Sequence, residues 1–235
     1  LIMRPLKQII DEVKIDLKQF TNDDRINYLD KYLQEKADDI RATLIRSELT
    51  STGRLDDKYY QSACCITVEC LQQGCVINGV TIPSGTVLWK AELPALIEGI
   101  GEADLKYLGL DDYEHDFKRV SLTSFTNSSG DIFNASSTMY HIIGNTAYFK
   151  NLPTSGIHYL CALGLWSKPT TVCNYNLMTD IYPVPSVNKL KMLLRIEVLR
   201  SWGYVTADKV PTGEDKTIDI NATEQKTLAS DSTTE

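Results

Sequence analysis

A chain of 235 residues that is 43% hydrophobic can bury a core of its own, and its length suits one domain elaborated by a second layer. A formal net charge of −7 argues against a general duplex-binding protein, whose affinity comes from Lys and Arg neutralising phosphates, although a local basic surface stays open. No apolar run reaches the roughly 18 to 20 residues of a bilayer span, and the first residues lack the apolar core of a secretion signal, so the chain reads as soluble and unexported.

The first segment places Leu6, Ile9, Ile10, Val13, Leu17 and Phe20 on one stripe at helical spacing, with Pro5 where a first-turn proline is tolerated. Thr21, three residues before Asp24, resembles a cap for a second helix, whose stripe runs through Ile26, Leu29, Leu33, Ala37, Ile40 and Leu44 to about Leu49. Gly53 breaks that pattern. Asp56 can cap a third helix through Tyr59, Tyr60, Ala63 and Ile66, ending at Gly74.

Beyond Gly74 the period changes. Val76-Ile77 and Val80-Thr81 flank Asn78-Gly79, a strong hairpin signal because both turn residues tolerate positive φ. Pro83-Ser84-Gly85 turns the chain into a strand over Thr86 to Trp89. Further strands are expected over Arg119 to Phe125, Met139 to Ile143, Thr146 to Phe149 and Ile157 to Leu165, the second and third of these joined at Gly144-Asn145. Thr126 to Ser137, rich in Asn, Ser and Gly, is a candidate contact loop. Asp180-Ile181-Tyr182-Pro183-Val184-Pro185 is stiff and extended, since each proline restricts itself and the residue before it. Ser186 caps a last helix through Leu190, Leu193, Leu194 and Val198 that stops at Gly203. From Thr206 onward seven acids stand against three lysines, and such a segment cannot stabilise a core of its own.

The expected class is α+β: a helical layer over 1–74, an inserted antiparallel β region over 75–180, a C-terminal helix over 181–204 returning to the helical layer, and an extended acidic tail over 205–235.

Residues able to carry chemistry do not fall into a catalytic pattern. The six cysteines Cys64, Cys65, Cys70, Cys75, Cys161 and Cys173 include no C-x-x-C pair, which suits neither a disulfide framework nor a tetrahedral zinc site. They read as reduced, mostly buried thiols, and so point to assembly in a cytoplasm. Cys161 with His158 or His141, and Asp180 as an orienting acid, supplies the types for nucleophilic catalysis. Strand alternation puts His158 and Cys161 on opposite faces, however, and no glycine-flanked nucleophile motif is present. Cys65, Cys70 and Cys75 step by five and would rotate around a helix instead of stacking as metal ligands. Asp111, Asp112, Glu114, His115 and Asp116 lack the calcium-loop spacing and its central glycine. Gly99 and Gly101 have neither the following lysine nor the preceding strand of a phosphate loop. No catalytic residue, cofactor or metal is expected. Among the aromatic residues, core packing is the expectation for Tyr59, Tyr60, Trp89 and Trp166, whereas Trp202 and Tyr204, where the last helix gives way to the tail, are candidate partner contacts.

The series Arg41-Ala42-Thr43-Leu44-Ile45-Arg46, Leu55-Asp56-Asp57-Lys58-Tyr59-Tyr60-Gln61 and Cys65-Ile66-Thr67-Val68-Glu69-Cys70 resembles virion structural proteins of crAss-like phages. Those carry a similar arginine-bearing helix, a D-x-x-Y-Y-Q element and an alternating segment after it. Ile82-Pro83-Ser84-Gly85, Leu93-Pro94 and the Tyr182-Pro183-Val184-Pro185 entry to a final helix match the next landmarks, so the resemblance spans most of residues 1–204. By analogy a strand would begin soon after Gln61, with the third helix ending near Cys64.

The resemblance implies a non-enzymatic head-to-tail connector subunit. It would form a homo-oligomeric ring, a dodecamer by analogy, between the portal and further tail or connector ring proteins, with a lumen open to non-specific contact with genomic DNA and no membrane partner. Its location would be the virion connector or tail region, after assembly in the host bacterial cytoplasm. Residues 205–235 would be the docking arm onto the portal, with Val210, Ile218, Ile220 and Leu228 joining Trp202 and Tyr204 as partner contacts. The alternative expectation is another virion component, such as a tail, capsid-decorating or carbohydrate- or receptor-binding module.

Overall fold

Helical spacing at the start of the chain forms α1 (Leu6–Phe20), whose Leu6, Ile9, Ile10, Val13 and Leu17 are all buried. In the computed structural model the described residues are 4–21, 23–71, 76–77, 80–81, 88–110, 116–127, 137–152 and 159–204. The chain divides into two units, Leu1–Leu194 and Arg195–Glu235.

Thr21 closes α1 instead of opening the next helix: its N–H donates to Leu17 O, and the 3-10 turn Asp24–Tyr28 is capped by Asp23, which accepts from Arg25 N–H. α2 (Asp30–Thr52) follows and ends at Gly53, whose φ of 71° supplies the left-handed stop. Lys7 and Lys14 of α1 both pair with Asp30, tying the first turn of α2 to α1.

The expected third helix is a strand. Only the 3-10 turn Asp57–Tyr59 is helical there, capped as anticipated by Asp56, and Gln61–Leu71 forms β1. The sheet is completed by β4 (Leu88–Glu92), β5 (Leu105–Gly109), β6 (Lys118–Arg119), β7 (Met139–Ile143), β8 (Thr146–Lys150) and β9 (Tyr159–Gly164). β2 (Val76–Ile77) and β3 (Val80–Thr81) pair by themselves in the register that a two-residue Asn-Gly connection demands. The seven strands run in the order β5-β9-β1-β4-β8-β7-β6, all antiparallel except the β6–β7 pair. The strand expected over Arg119 to Phe125 survives only as β6. Ser121 accepts from Ser124 N–H and starts the short helix α3 (Leu122–Asn127), which buries Phe125 beside Leu88.

The region placed at 75–180 from the sequence therefore begins at Gln61, with β1 as an interior strand between β9 and β4. β1 carries a bulge: Ala63 pairs with Ala162, Ile66 with Leu160, and two residues, Cys64 and Cys65, stand opposite one. Ala63 and Ile66 are consequently both buried at a spacing of three, with two exposed residues between them. The main core gathers Ala63, Ile66, Leu108, Phe149, Leu160 and Trp166. A smaller one, made of Ala42, Ile45, Tyr59, Ile97, Ile100 and Leu165, joins α2 to the turn before β1 and to the segments after β4 and β9.

α4 (Val187–Ser201) begins as its cap predicts, with Ser186 Oγ accepting from Lys189 N–H. Leu190 and Leu194 are buried, and Lys191 pairs with Glu12 of α1 at 3.0 Å. In the second unit, Gly203 has a φ of 83° directly after Trp202.

Gly164 packs under the six-membered ring of Trp166: an added Cβ would meet Cη2 at 2.7 Å and Cζ2 at 2.9 Å. The ring cannot step aside, since Trp166 is fully buried and its Nε1–H donates to Gln61 O at 2.9 Å. Gly164→Ala is expected to lower unfolding free energy by about 1–3 kcal/mol, measured as an earlier denaturant midpoint at unchanged slope.

Candidate functional site

Arg41 is the most deeply buried charge in the described residues, with no solvent exposure. It stands four residues after Ala37 and four before Ile45, in the middle of the buried stripe of α2. Its Nε–H donates to Pro183 O at 2.6 Å, Nη1 to Trp166 O at 2.6 Å and Nη2 to Tyr59 O at 3.2 Å. One planar fork thus joins α2 to the turn before β1, to the segment after β9 and to the entry of α4. Burial lowers the Arg41 pKa, and the nearby Asp38 carboxylate works against that shift.

Asp38, one helical turn before Arg41, is itself 4% exposed. Its Oδ1 accepts from the Tyr182 hydroxyl at 2.8 Å and its Oδ2 from the Thr170 hydroxyl at 3.3 Å. Desolvation dominates and pushes the carboxyl up to about 6, against the hydrogen bonds and the Arg41 charge, which favour ionisation. Burial likewise holds the Tyr182 phenol well above its ordinary range. The two tyrosines of the D-x-x-Y-Y-Q element fasten outward from the same centre. Tyr59 OH donates to Glu48 of α2 at 3.1 Å, and Tyr60 OH to Ala103 O at 2.8 Å, with Lys106 Nζ 4.5 Å from the Tyr60 ring centroid.

Four of the cysteines are paired, contrary to the expectation of reduced thiols. Cys64 is bonded to Cys161 and Cys65 to Cys173, while Cys70 is free and exposed. Spacing could not reveal this, because the partners lie 97 and 108 residues apart: Cys64 and Cys161 meet when β9 pairs with β1, and Cys65 meets Cys173 only through the segment that follows β9. The pairing removes the thiol argument for a reducing compartment. A cleft of about 350 Å³ opens beside these bonds, lined by Gln61, Ser62 and Cys64 of β1 and by Cys173, Tyr175 and Asp180 of the segment before α4.

Among the described residues, those weighed for catalysis are not assembled as a nucleophile and base. Cys161 is a disulfide sulfur, His141 Nδ1 lies 2.9 Å from Val120 O, and Asp180 accepts from Asn176 N–H and the Thr179 hydroxyl. His158 lies outside the described residues, as do Cys75, Asp111, Asp112, Glu114 and His115. Cys65 of the rejected metal triad is bonded to Cys173, and no group of three His, Cys, Asp or Glu suited to a metal ion occurs among the described residues.

Of the partner contacts expected at the end of the chain, Trp202 and Tyr204 meet edge to face with ring centroids 6.4 Å apart, and Tyr204 is 52% exposed. Val210, Ile218, Ile220 and Leu228 lie outside the described residues.

Replacing Arg41 by Met removes the charge and strands three carbonyls, so it should cost about 3–5 kcal/mol of stability in a denaturant titration. Asp38 gives a pH signature of definite sign. Its folded pKa of about 6 exceeds the model-compound value of 3.8, so its favourable contribution is full below 3.8 and is lost as pH rises through 6. Stability should therefore climb by roughly 1–3 kcal/mol as pH falls from 7 to 5, and Asp38→Asn should flatten that slope while keeping the Tyr182 bond. Glu12 and Asp30, whose pKa values are lowered by Lys191 and by Lys14 and Lys7, lose their contributions only at lower pH.

No protein-family model matches the chain, and no curated protein matches it.

Proposed function

We propose that the chain is a structural subunit of a bacteriophage particle, a connector ring protein between portal and tail of a crAss-like phage. The observation that carries this reading is the convergence on Arg41. Three of the landmarks behind the resemblance, the arginine-bearing helix, the D-x-x-Y-Y-Q element and the Tyr182-Pro183-Val184-Pro185 entry, contribute Arg41, Tyr59 O and Pro183 O to one buried centre. Landmarks scattered over more than 140 residues thus answer to one physical requirement, the burial of a guanidinium, which supports treating them as one inherited scaffold.

A ring needs two different patches on each subunit, because head-to-tail contacts close by rotation. The helical layer and the sheet would supply these two patches. The tail would add affinity across subunits or onto the portal, its ordering cost being met on binding. No membrane contact is proposed, and no helix among the described residues is long and apolar enough to cross one. The working location is the virion, after assembly in the host cytoplasm.

Mass photometry of the purified protein, alone and with its cognate portal, tests the assignment. The expected result is portal-dependent addition of one subunit per portal chain. A stable trimer indifferent to portal would overturn it in favour of a receptor- or carbohydrate-binding virion module. Deleting residues 205–235 should leave a folded subunit, since all three Arg41 partners lie upstream, yet abolish joining to the portal.

A further inference from the structure

The two disulfides share a wall of the cleft, and one sulfur-bearing residue of each bond lines it: Cys64 of the Cys64–Cys161 bond and Cys173 of the Cys65–Cys173 bond. Their arrangement follows from the bulge in β1. Because Cys64 and Cys65 both stand opposite one residue of β9, adjacent positions reach different partners, Cys161 within the sheet and Cys173 beyond it. Cys64 and Cys65 are exposed and Cys173 is half-buried, whereas Cys161 is 1% exposed. Each bond therefore has a side that a small molecule can attack. The remaining lining mixes polar Gln61, Ser62, Asn174, Tyr175 and Asp180 with apolar Val172 and Ile181, and the Gln61 Oε1 is buried without a hydrogen-bond partner. A cleft of about 350 Å³ with this lining suits a small polar thiol carrying hydrogen-bond donors.

We propose that this cleft is a thiol–disulfide exchange site and that its two bonds form a reversible latch. In the closing direction, a Cys64 or Cys173 thiolate attacks a small-molecule disulfide and releases one thiol. The partner cysteine's thiolate then attacks the mixed disulfide and releases the second. Each latch bond forms as two cysteine thiols are oxidised by two electrons, one small disulfide is reduced, and the two protons end on the released thiols. Opening is the reverse, with a small thiol entering the cleft as reductant.

The latch acts on the segment that matters most for the fold. Cys173 lies between Thr170, which donates to Asp38, and Tyr182-Pro183, which meet Asp38 and Arg41. Closing the Cys65–Cys173 bond ties this segment to β1, and the Cys64–Cys161 bond ties β1 to β9. The loops closed are about a hundred residues long, the range in which a cross-link removes most unfolded-state freedom. The inference stands apart from the connector reading, because it concerns the isolated subunit in any compartment.

The test uses the purified full-length chain in buffers of reduced and oxidised glutathione, read by intact mass, differential alkylation with peptide mapping, and thermal midpoint. Oxidised glutathione should take four hydrogens from the reduced chain, two for each of the two bonds, with Cys64–Cys161 and Cys65–Cys173 mapped and Cys70 found in neither bond, as a thiol or a glutathione adduct. Excess reduced glutathione should open both bonds without unfolding and lower the midpoint by roughly 10 °C. The Cys161→Ser variant should trap one glutathione on Cys64. Alkylation of all four cysteines in oxidised glutathione, swapped pairing, bonds that resist excess thiol in the folded protein, or four thiolates found holding a metal ion would each overturn the proposal.

Discussion

A guanidinium removed from water is among the least favourable groups a fold can bury, and Arg41 is tolerated only because three carbonyls and a neighbouring carboxylate surround it. None of those carbonyls belongs to the helix that carries the arginine. Each comes from a connecting segment outside the named strands, so Arg41 gives those carbonyls a hydrogen bond while they take up three of its five N–H donors. The centre consequently sets where the turn before β1, the segment after β9 and the entry to α4 must lie. Trp166 extends the arrangement: its carbonyl receives Arg41, its indole reaches Gln61 O, and its ring occupies the space that Gly164 leaves open.

The bulge in β1 is the second constraint. It turns two adjacent cysteines toward separate partners and thereby couples β1 to β9 and to the segment running into the Asp38 network. Electrostatic and covalent fastening thus converge on the same stretch, residues 166–183.

Elements governed by local rules were legible in the sequence. α1, the Asn78-Gly79 hairpin register, the β7–β8 hairpin at Gly144 and the Ser186 cap of α4 all follow from spacing, turn chemistry and capping. The third helix failed for a specific reason: the bulge spaces Ala63 and Ile66 three apart, so a bulged strand imitates helical periodicity. Arg119 to Phe125 failed because the Ser121 cap outweighed the β-forming residues around it. The cysteine pairs were invisible because nothing local distinguishes a paired cysteine from a buried one. Arg41 and Asp38 could have been suspected, since a 3.6-residue period places both on the apolar face of α2, but a hydrophobic stripe counts only apolar residues. The resemblance marked Arg41 without indicating that it is buried.

The central claim is that Arg41 holds three distant segments in one place through its planar fork. Hydrogen exchange comparing the wild-type chain with Arg41→Lys tests it most directly, because lysine keeps the charge but offers a single ammonium in place of the fork. The account predicts that amides around residues 59–61, 164–167 and 182–184 lose protection together, and more than those of the β7–β8 hairpin. Wild-type protection in those three segments, or a loss no greater than the hairpin's, would contradict it.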